Sequence, residues 1–405
     1  MTGHALAKAW LRALASALAS LPQAAPKVLS GPGSAKLLPS ELDALKAKRP
    51  LVVTDRGVAE AGMLGTLEAI LSGAGVVQAV FDGVRAEPSF DMARAGLEAF
   101  RSRRCDAVVA LGGGSVIDVA KAIRIGAVHD KPLEKFSGIL RVSGRGLPLV
   151  CIPTTAGSGS EATAFAILFD SHRGRKATIF DPKILPDSAI LDPSLTLGMP
   201  AGLAASCAAD ALSLAVEAYA NTLRRSDVDS QAVEAARLIL SNLPKVLAAP
   251  EDLRAREALL RAANLAGRSF SRGFGGYVHL LAHRFWELYG CPCGIAKAIA
   301  LPYVLDLYAE ADPHRLAGLA RATGTCAETG QGEDEECSQA FIERIRTLFE
   351  SSGLPDRADF LKAQDVPRIA EETGKEILRS FFPVPAVFSV GELGAGIAKM
   401  LHKGE

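Results

Sequence analysis

The feature that most constrains this chain is an alternation confined to its first half. Short apolar runs at Leu51–Thr54, Val76–Phe81, Asp106–Leu111 and Leu149–Pro153 are separated by helical patterns at 89–101 and 116–125. A brief, unbroken apolar run suits a strand covered on both faces, and strands alternating with helices imply parallel βαβ units. After about residue 198 strand patterns almost vanish. Residues 201–223, 228–247, 251–271, 276–288 and 312–323 carry apolar side chains at helical spacing. The expected fold is therefore an α/β half followed by an all-α half, with no internal repeat. The expected boundaries are 1–25 for an N-terminal helix, 26–198 for the α/β domain and 199–405 for the helical domain.

The first 40 residues hold no Asp or Glu, and Leu6, Trp10, Leu14, Leu18 and Leu21 recur at helical spacing up to Pro22. This predicts an amphipathic helix docked on the body or on a neighbouring subunit. As a signal peptide, 13–21 is short, carries two serines and lacks a clean cleavage site. Lys and Arg number 45, as do Asp and Glu, so no net field draws the chain to nucleic acid or an anionic membrane. No apolar run is read as long enough to span a bilayer. The seven cysteines are expected to be reduced in a cytoplasmic protein, since a chain of 405 residues builds a core without disulfides. Gln331–Glu336 reads as a polar loop.

Three motifs carry chemistry. Gly112-Gly113-Gly114-Ser115-Val116-Ile117-Asp118 follows a buried strand and opens a helix. Glycines let a backbone approach an anion, and a helix N-terminus offers free N–H groups and partial positive charge, so a diphosphate fits here. The spacing is neither GxGxxG nor a P-loop. Asp55 ends an early strand, where a carboxylate accepts from ribose hydroxyls and repels a 2′-phosphate; an ordinary helix-capping aspartate reads the same way. Pro153-Thr154-Thr155-Ala156-Gly157-Ser158-Gly159-Ser160-Glu161 also follows a strand, and its small hydroxyls suit a ligand crevice or a plain turn-rich loop.

Together these segments resemble the iron-containing (group III) alcohol dehydrogenase family. The resemblance runs from about Pro26 and includes Val28–Ser34, Thr54-Asp55, the 112–118 and 153–161 motifs, Asp181–Asp187 and Leu191-Asp192-Pro193. It implies a Rossmann-like dinucleotide-binding domain with a parallel sheet, a C-terminal helical-bundle domain (the dehydroquinate synthase-like fold), and an active site in the cleft between. It implies that Gly112, Gly113, Gly114, Ser115 and Asp118 belong to the diphosphate site, and that Thr154, Thr155 and Ser158 line the cofactor. Asp55 then favours NAD over NADP, and Lys176 is a basic residue near the cofactor. The family commonly dimerises, so a homodimer is expected.

The family pattern places metal ligands at D-A-L-x-H, at the first His of H-x-x-x-H-P-L-G, and at P-H-G. Here those segments read Asp210-Ala211-Leu212-Ser213-Leu214, His279-Leu280-Leu281-Ala282-His283-Arg284-Phe285-Trp286 and Pro292-Cys293-Gly294. Leu214 cannot bind a metal. Three readings stay open: no metal; zinc on Asp210, His279 and Cys293 with one open position; or a lost catalytic centre that keeps nucleotide binding. Arg284, Trp286 and Arg272 enlarge or charge the surroundings, and Arg284 is placed to clamp an acidic group.

The activity implied is hydride transfer between NAD(H) and a small alcohol or carbonyl compound. His279 or His283 would act as the acid in place of a metal, and Arg284 would stabilise charge. Gly174-Arg175-Lys176 is similar to a maleylacetate reductase pattern, which would make the substrate acidic. A dehydroquinate synthase-type lyase is the less favoured alternative, since it needs a bound metal. A non-catalytic nucleotide-binding homologue is the remaining one.

Overall fold

In the computed structural model of this chain, residues 2–327 and 334–401 are described, with side chains from residue 9 onward. Six strands form one parallel sheet: β1 (Lys27–Ser30), β2 (Pro50–Asp55), β3 (Ala79–Val84), β4 (Ala107–Gly112), β6 (Leu149–Pro153) and β9 (Ser188–Leu191), in the order β1-β9-β6-β4-β2-β3. Side chains alternate across the sheet. Leu51, Val53, Val108, Ala110, Leu149 and Cys151 enter one apolar core; Val52, Val109, Leu111, Val150 and Ile152 enter the other. Both faces are covered, which explains the unbroken apolar runs in the sequence. β3 begins three residues later than its apolar pattern predicts. It is an edge strand paired only with β2, so one-sided packing leaves its register weakly marked.

The chain leaves β2 towards β3 on one side and returns to β4 on the other. Strand order reverses at β2 and β4, and ligands bind parallel sheets outside the strand C-termini at such a reversal. Asp55 and Gly112 lie at those two C-termini. A smaller sheet of β5 (Gly138–Ile139), β7 (Phe165–Asp170) and β8 (Arg175–Phe180) was not legible beforehand; β7 and β8 are antiparallel.

The chain divides into two compact units: Pro22–Met199 with Glu251–Gly267, and Met1–Leu21 with Pro200–Pro250 and Arg268–Glu405. The Leu253–Gly273 helix thus contributes its first part to the sheet-bearing unit, where the sequence reading kept all of 199–405 together. Glycine drives this difference. A Cβ at Gly159 would lie 2.3 Å from the Ala263 carbonyl oxygen, and one at Gly267 would lie 2.3 Å from the Gly159 oxygen. Buried Asn264 adds a bond to Glu161 at 3.1 Å, and Arg256 donates to the Thr196 carbonyl oxygen.

The second unit is helical throughout. Ala201–Ala220 is long and apolar enough to cross a membrane, which corrects the sequence reading, but 67% of that stretch is buried inside the protein, as for a core helix. Thr2–Ala19 is a helix as expected, with its buried side at Leu11, Ala15, Leu18 and Ala19. Trp10, expected on the apolar stripe, is 65% exposed. The expectation of reduced cysteines is also corrected: Cys326 and Cys337 form a disulfide, with Cα atoms 5.6 Å apart. The Pro313–Ala322 and Asp334–Ser351 helices bring the two cysteines within bridging range, which spacing alone does not reveal. Of the expected loop Gln331–Glu336, residues 331–333 lie outside the described residues, and 334–336 open that second helix.

Candidate functional site

In the sheet-bearing unit, β4 ends at Gly112 and the Gly114–Gly126 helix starts at once. Its N-cap, Gly113, supplies no side-chain hydrogen bond, so the first-turn amides keep their donors for a ligand. The loop after β6 closes over the same place. Thr154 N–H donates to the Gly112 carbonyl oxygen at 3.1 Å. A Cβ at Gly113 would sit 3.2 Å from Thr155 Oγ1, and one at Gly114 would sit 2.5 Å from Ser158 Oγ. Glycine therefore keeps an uncapped helix terminus open beside two hydroxyls. Those donors and that space fit a diphosphate, so Gly113, Gly114, Thr155 and Ser158 are the residues that would hold it.

The neighbouring candidates have fixed structural bonds. Ser115 Oγ donates to the Ala86 carbonyl oxygen at 2.6 Å. Lys176 lies 3.4 Å from Glu87, and burial pushes the Glu87 carboxyl upward against that lysine's pull. Asp118 is buried and accepts from the Ile167 N–H at 3.0 Å; burial pushes its carboxyl up to about 6. Asp118 thus ties the helix to β7. Asp55 is half-buried and caps the next helix, its Oδ1 accepting from Val58 N–H at 3.0 Å.

In the helical unit, Asp210, Leu214 and Glu217 follow one another at one-turn spacing along Ala201–Ala220. Tyr277–Tyr289 carries His279, His283 and Arg284, and Cys293–Ala311 carries Cys293 and, one turn on, Lys297. A Cβ at Gly294 would come within 2.3 Å of Ser206 Oγ, so glycine lets that last helix start against the first. Fully buried Glu217 accepts from Val278 N–H at 2.9 Å and pairs with Nδ1 of His279. This pairing fixes the imidazole. Nε2 of His279 is buried and has no hydrogen-bond partner among the described residues. Burial, then the positive charge of Lys297, hold His279 well below its usual value, while Asp210 opposes them. Burial pushes Glu217 up to about 7.

Lys297 is the residue that sequence reasoning missed. Its ammonium lies 2.5 Å from Asp210 Oδ1, with both side chains largely buried. The only signal in the sequence was a lysine one helical turn beyond Cys293. This pair weighs against zinc on Asp210, His279 and Cys293: among the described residues no group of three or more His, Cys, Asp and Glu is gathered to hold a metal. Asp210 is engaged by a cation and Leu214 is buried and has no lone pair, which leaves the His279 imidazole and the half-buried Cys293 thiol, too few donors for a metal site. The donor set does not fit the family's metal.

Arg284 is corrected too. Its guanidinium pairs with Glu287 and Glu376, and Glu372 lies at 3.8 Å, so three carboxylates already take the charge proposed for a substrate. Arg272 likewise pairs with Asp227 at 3.0 Å. His283 and Trp286 are half-buried on the Arg284 helix. Arg284→Met is expected to lower the thermal midpoint yet leave KM for any acidic carbonyl compound unchanged; a selective rise in that KM would restore the clamp.

Comparison with known proteins identifies the family. Residues 25–193 match the family "Iron-containing alcohol dehydrogenase" and 204–381 match "Fe-containing alcohol dehydrogenase family, C-terminal". The chain is 35% identical over 350 residues to 1,3-propanediol dehydrogenase of Citrobacter freundii, covering 85% of this chain and 90% of that one. It is 36% identical over 299 residues to NAD-dependent methanol dehydrogenase of Bacillus methanolicus, covering 74% and 78%. Among solved structures, 1,3-propanediol oxidoreductase superposes with a TM-score of 0.89 at 33% identity, over 94% of this chain and 99% of that one. Sulfoacetaldehyde reductase from Bifidobacterium kashiwanohense in complex with NAD+ gives 0.83 at 26% identity, over 94% and 98%.

Proposed function

Because the chain belongs to the iron-containing alcohol dehydrogenase family, we propose that it interconverts a small alcohol and its aldehyde or ketone with NAD(H), through a site altered at the metal. The observation that carries this reading is the uncapped helix terminus at Gly113–Gly114, held open beside Thr155 and Ser158. The bound nicotinamide nucleotide would supply or accept the hydride. In the sheet-bearing unit the chain's part is to hold the diphosphate on the amides after Gly113; in the helical unit the buried His279 and Lys297 are the groups that would meet a substrate oxygen. The relatives described as propanediol and methanol dehydrogenases favour a short, neutral alcohol or aldehyde. The carboxylates around Arg284 weigh against an acidic substrate at that arginine.

The direct test is NADH oxidation at 340 nm with a series of small aldehydes, alongside NADH binding by fluorescence. Saturable binding with turnover of at least one aldehyde is expected. Binding without turnover would favour the non-catalytic reading, and no binding would sink both. Asp55→Ala reports on the nucleotide choice. It is expected to raise NADPH turnover relative to NADH, and to lose about 1 kcal/mol of helix capping. An unchanged NADH-to-NADPH ratio would leave Asp55 as a cap alone.

A further inference from the structure

The Asp210–Lys297 pair sits where the family resemblance expects a metal. Three of the four positions that resemblance marks are linked to it: Asp210 is the ammonium's own partner, Cys293 lies one turn before Lys297 on the same helix, and His279 feels the charges of both Lys297 and Asp210. Leu214 fills the fourth position with hydrocarbon. A divalent ion would have to displace a largely buried ammonium from the one carboxylate in the set, and would then have the orphan imidazole nitrogen and the Cys293 thiol as its remaining candidate donors. An ammonium carries three N–H donors, and among the described residues Asp210 takes one. Two remain for another acceptor. The buried Nε2 of His279, which feels the charge of Lys297, is likewise left without a hydrogen-bond partner among the described residues, as expected of a group that awaits a polar ligand.

We propose that the Lys297 ammonium supplies the positive charge that a metal supplies elsewhere in this family, and that it binds the substrate's carbonyl or alkoxide oxygen directly. This rests on the hydride-transfer reading above. In the reductive direction a C–H bond of the reduced nicotinamide breaks and a C–H bond forms at the carbonyl carbon. The nicotinamide is oxidised and the carbonyl reduced. The π electron pair of the C=O bond goes to oxygen as an alkoxide, and water supplies the one proton that completes the alcohol. On this assignment Lys297 holds that oxygen with N–H bonds and passes no proton to it. Asp210 fixes the ammonium's position. Glu217, through His279 Nδ1, orients the ring beside it. Lys297 is therefore a catalytic residue on this assignment, whereas Glu217 is a positioning residue.

The test joins metal analysis with two variants. Full-length protein is purified without chelators, offered Fe(II) and Zn(II), desalted and assayed for metal per chain; turnover is measured before and after EDTA. The expected result is far less than one metal per chain and turnover unaffected by EDTA. Lys297→Met is expected to lower kcat by roughly 100- to 1,000-fold, the usual loss for one donor to a developing oxyanion, with NADH affinity unchanged. Because Lys297→Met strands the Asp210 charge, the double variant Lys297→Met with Asp210→Asn is measured beside it and should show the same kcat loss. One metal per chain with EDTA-sensitive turnover would overturn the Lys297 assignment and leave the hydride-transfer reading standing. Wild-type-like kcat in either folded variant would do the same. Absence of NADH binding and of all carbonyl turnover in the wild type would overturn both. If neither variant folds, the metal and EDTA results on the wild type decide the matter.

Discussion

Gly114→Val is expected to weaken nucleotide binding roughly 100-fold while the protein stays folded. A Cβ at this position already falls 2.5 Å from Ser158 Oγ and 2.9 Å from Ser158 Cβ, and valine adds two methyl groups in the same space. The Ser158 loop must move off, and the amides of the first helical turn are covered. Losing two charge-assisted bonds of about 1.5 kcal/mol each weakens binding roughly 100-fold. Fluorescence titration with NADH reads the effect. The helix itself should survive, because the new side chain lies at its first turn and its buried face from Val116 to Ile125 is untouched. Binding within a few-fold of wild type would mean that the diphosphate lies elsewhere, and the reading of the Gly112–Gly114 turn would fall.

Gly159→Ala is expected to strike stability rather than affinity. The residue holds φ at +57°, and its Cβ would meet the Ala263 carbonyl oxygen at 2.3 Å and the Gly267 backbone at 2.8–2.9 Å. These obstacles are backbone, which cannot swing aside as a side chain does. Overpacking of about 3 kcal/mol together with a left-handed penalty of about 1 kcal/mol gives a drop in thermal midpoint on the order of 10 °C. Gly174→Ala is the control: φ there is +61°, but nothing lies within 4 Å of its Cβ. It should lose only the conformational part. Equal losses in the two variants would mean that φ, not the crossing with the Leu253–Gly273 helix, is what glycine serves at 159.

These two glycines show where sequence reading succeeds and where it stops. Both lie in motifs that stand out in the chain, and both read as turn glycines near a ligand. At Gly114 that reading agrees with the geometry. At Gly159 the motif serves a second purpose, a backbone crossing with a helix that starts about a hundred residues later. The antiparallel β7–β8 pair was missed although its strands are as long as β2, because Phe165–Asp170 and Arg175–Phe180 follow each other with no helical pattern between them and pair outside the main sheet. On the N-terminal helix Leu18 is buried as expected, but Leu11 and Ala15 are buried where Trp10 and Leu14 were expected, since several leucines and alanines compete for that side and only docking selects among them.

The sequence by itself determined the order of the architecture, the covered parallel sheet, the glycine turn at the end of β4 and the membership of a dehydrogenase family. Those properties are written in local periodicity and in contiguous motifs, and local physics reads them. It also showed that Leu214 removes a ligand. Only the tertiary structure decided what that loss means. Asp210 and Lys297 lie on different helices, brought together by the Gly294–Ser206 approach, and Arg284 meets Glu376 on another helix again. Whether a charge is free for substrate or already paired depends on which helices touch. Such long-range pairings leave no period or spacing in the chain.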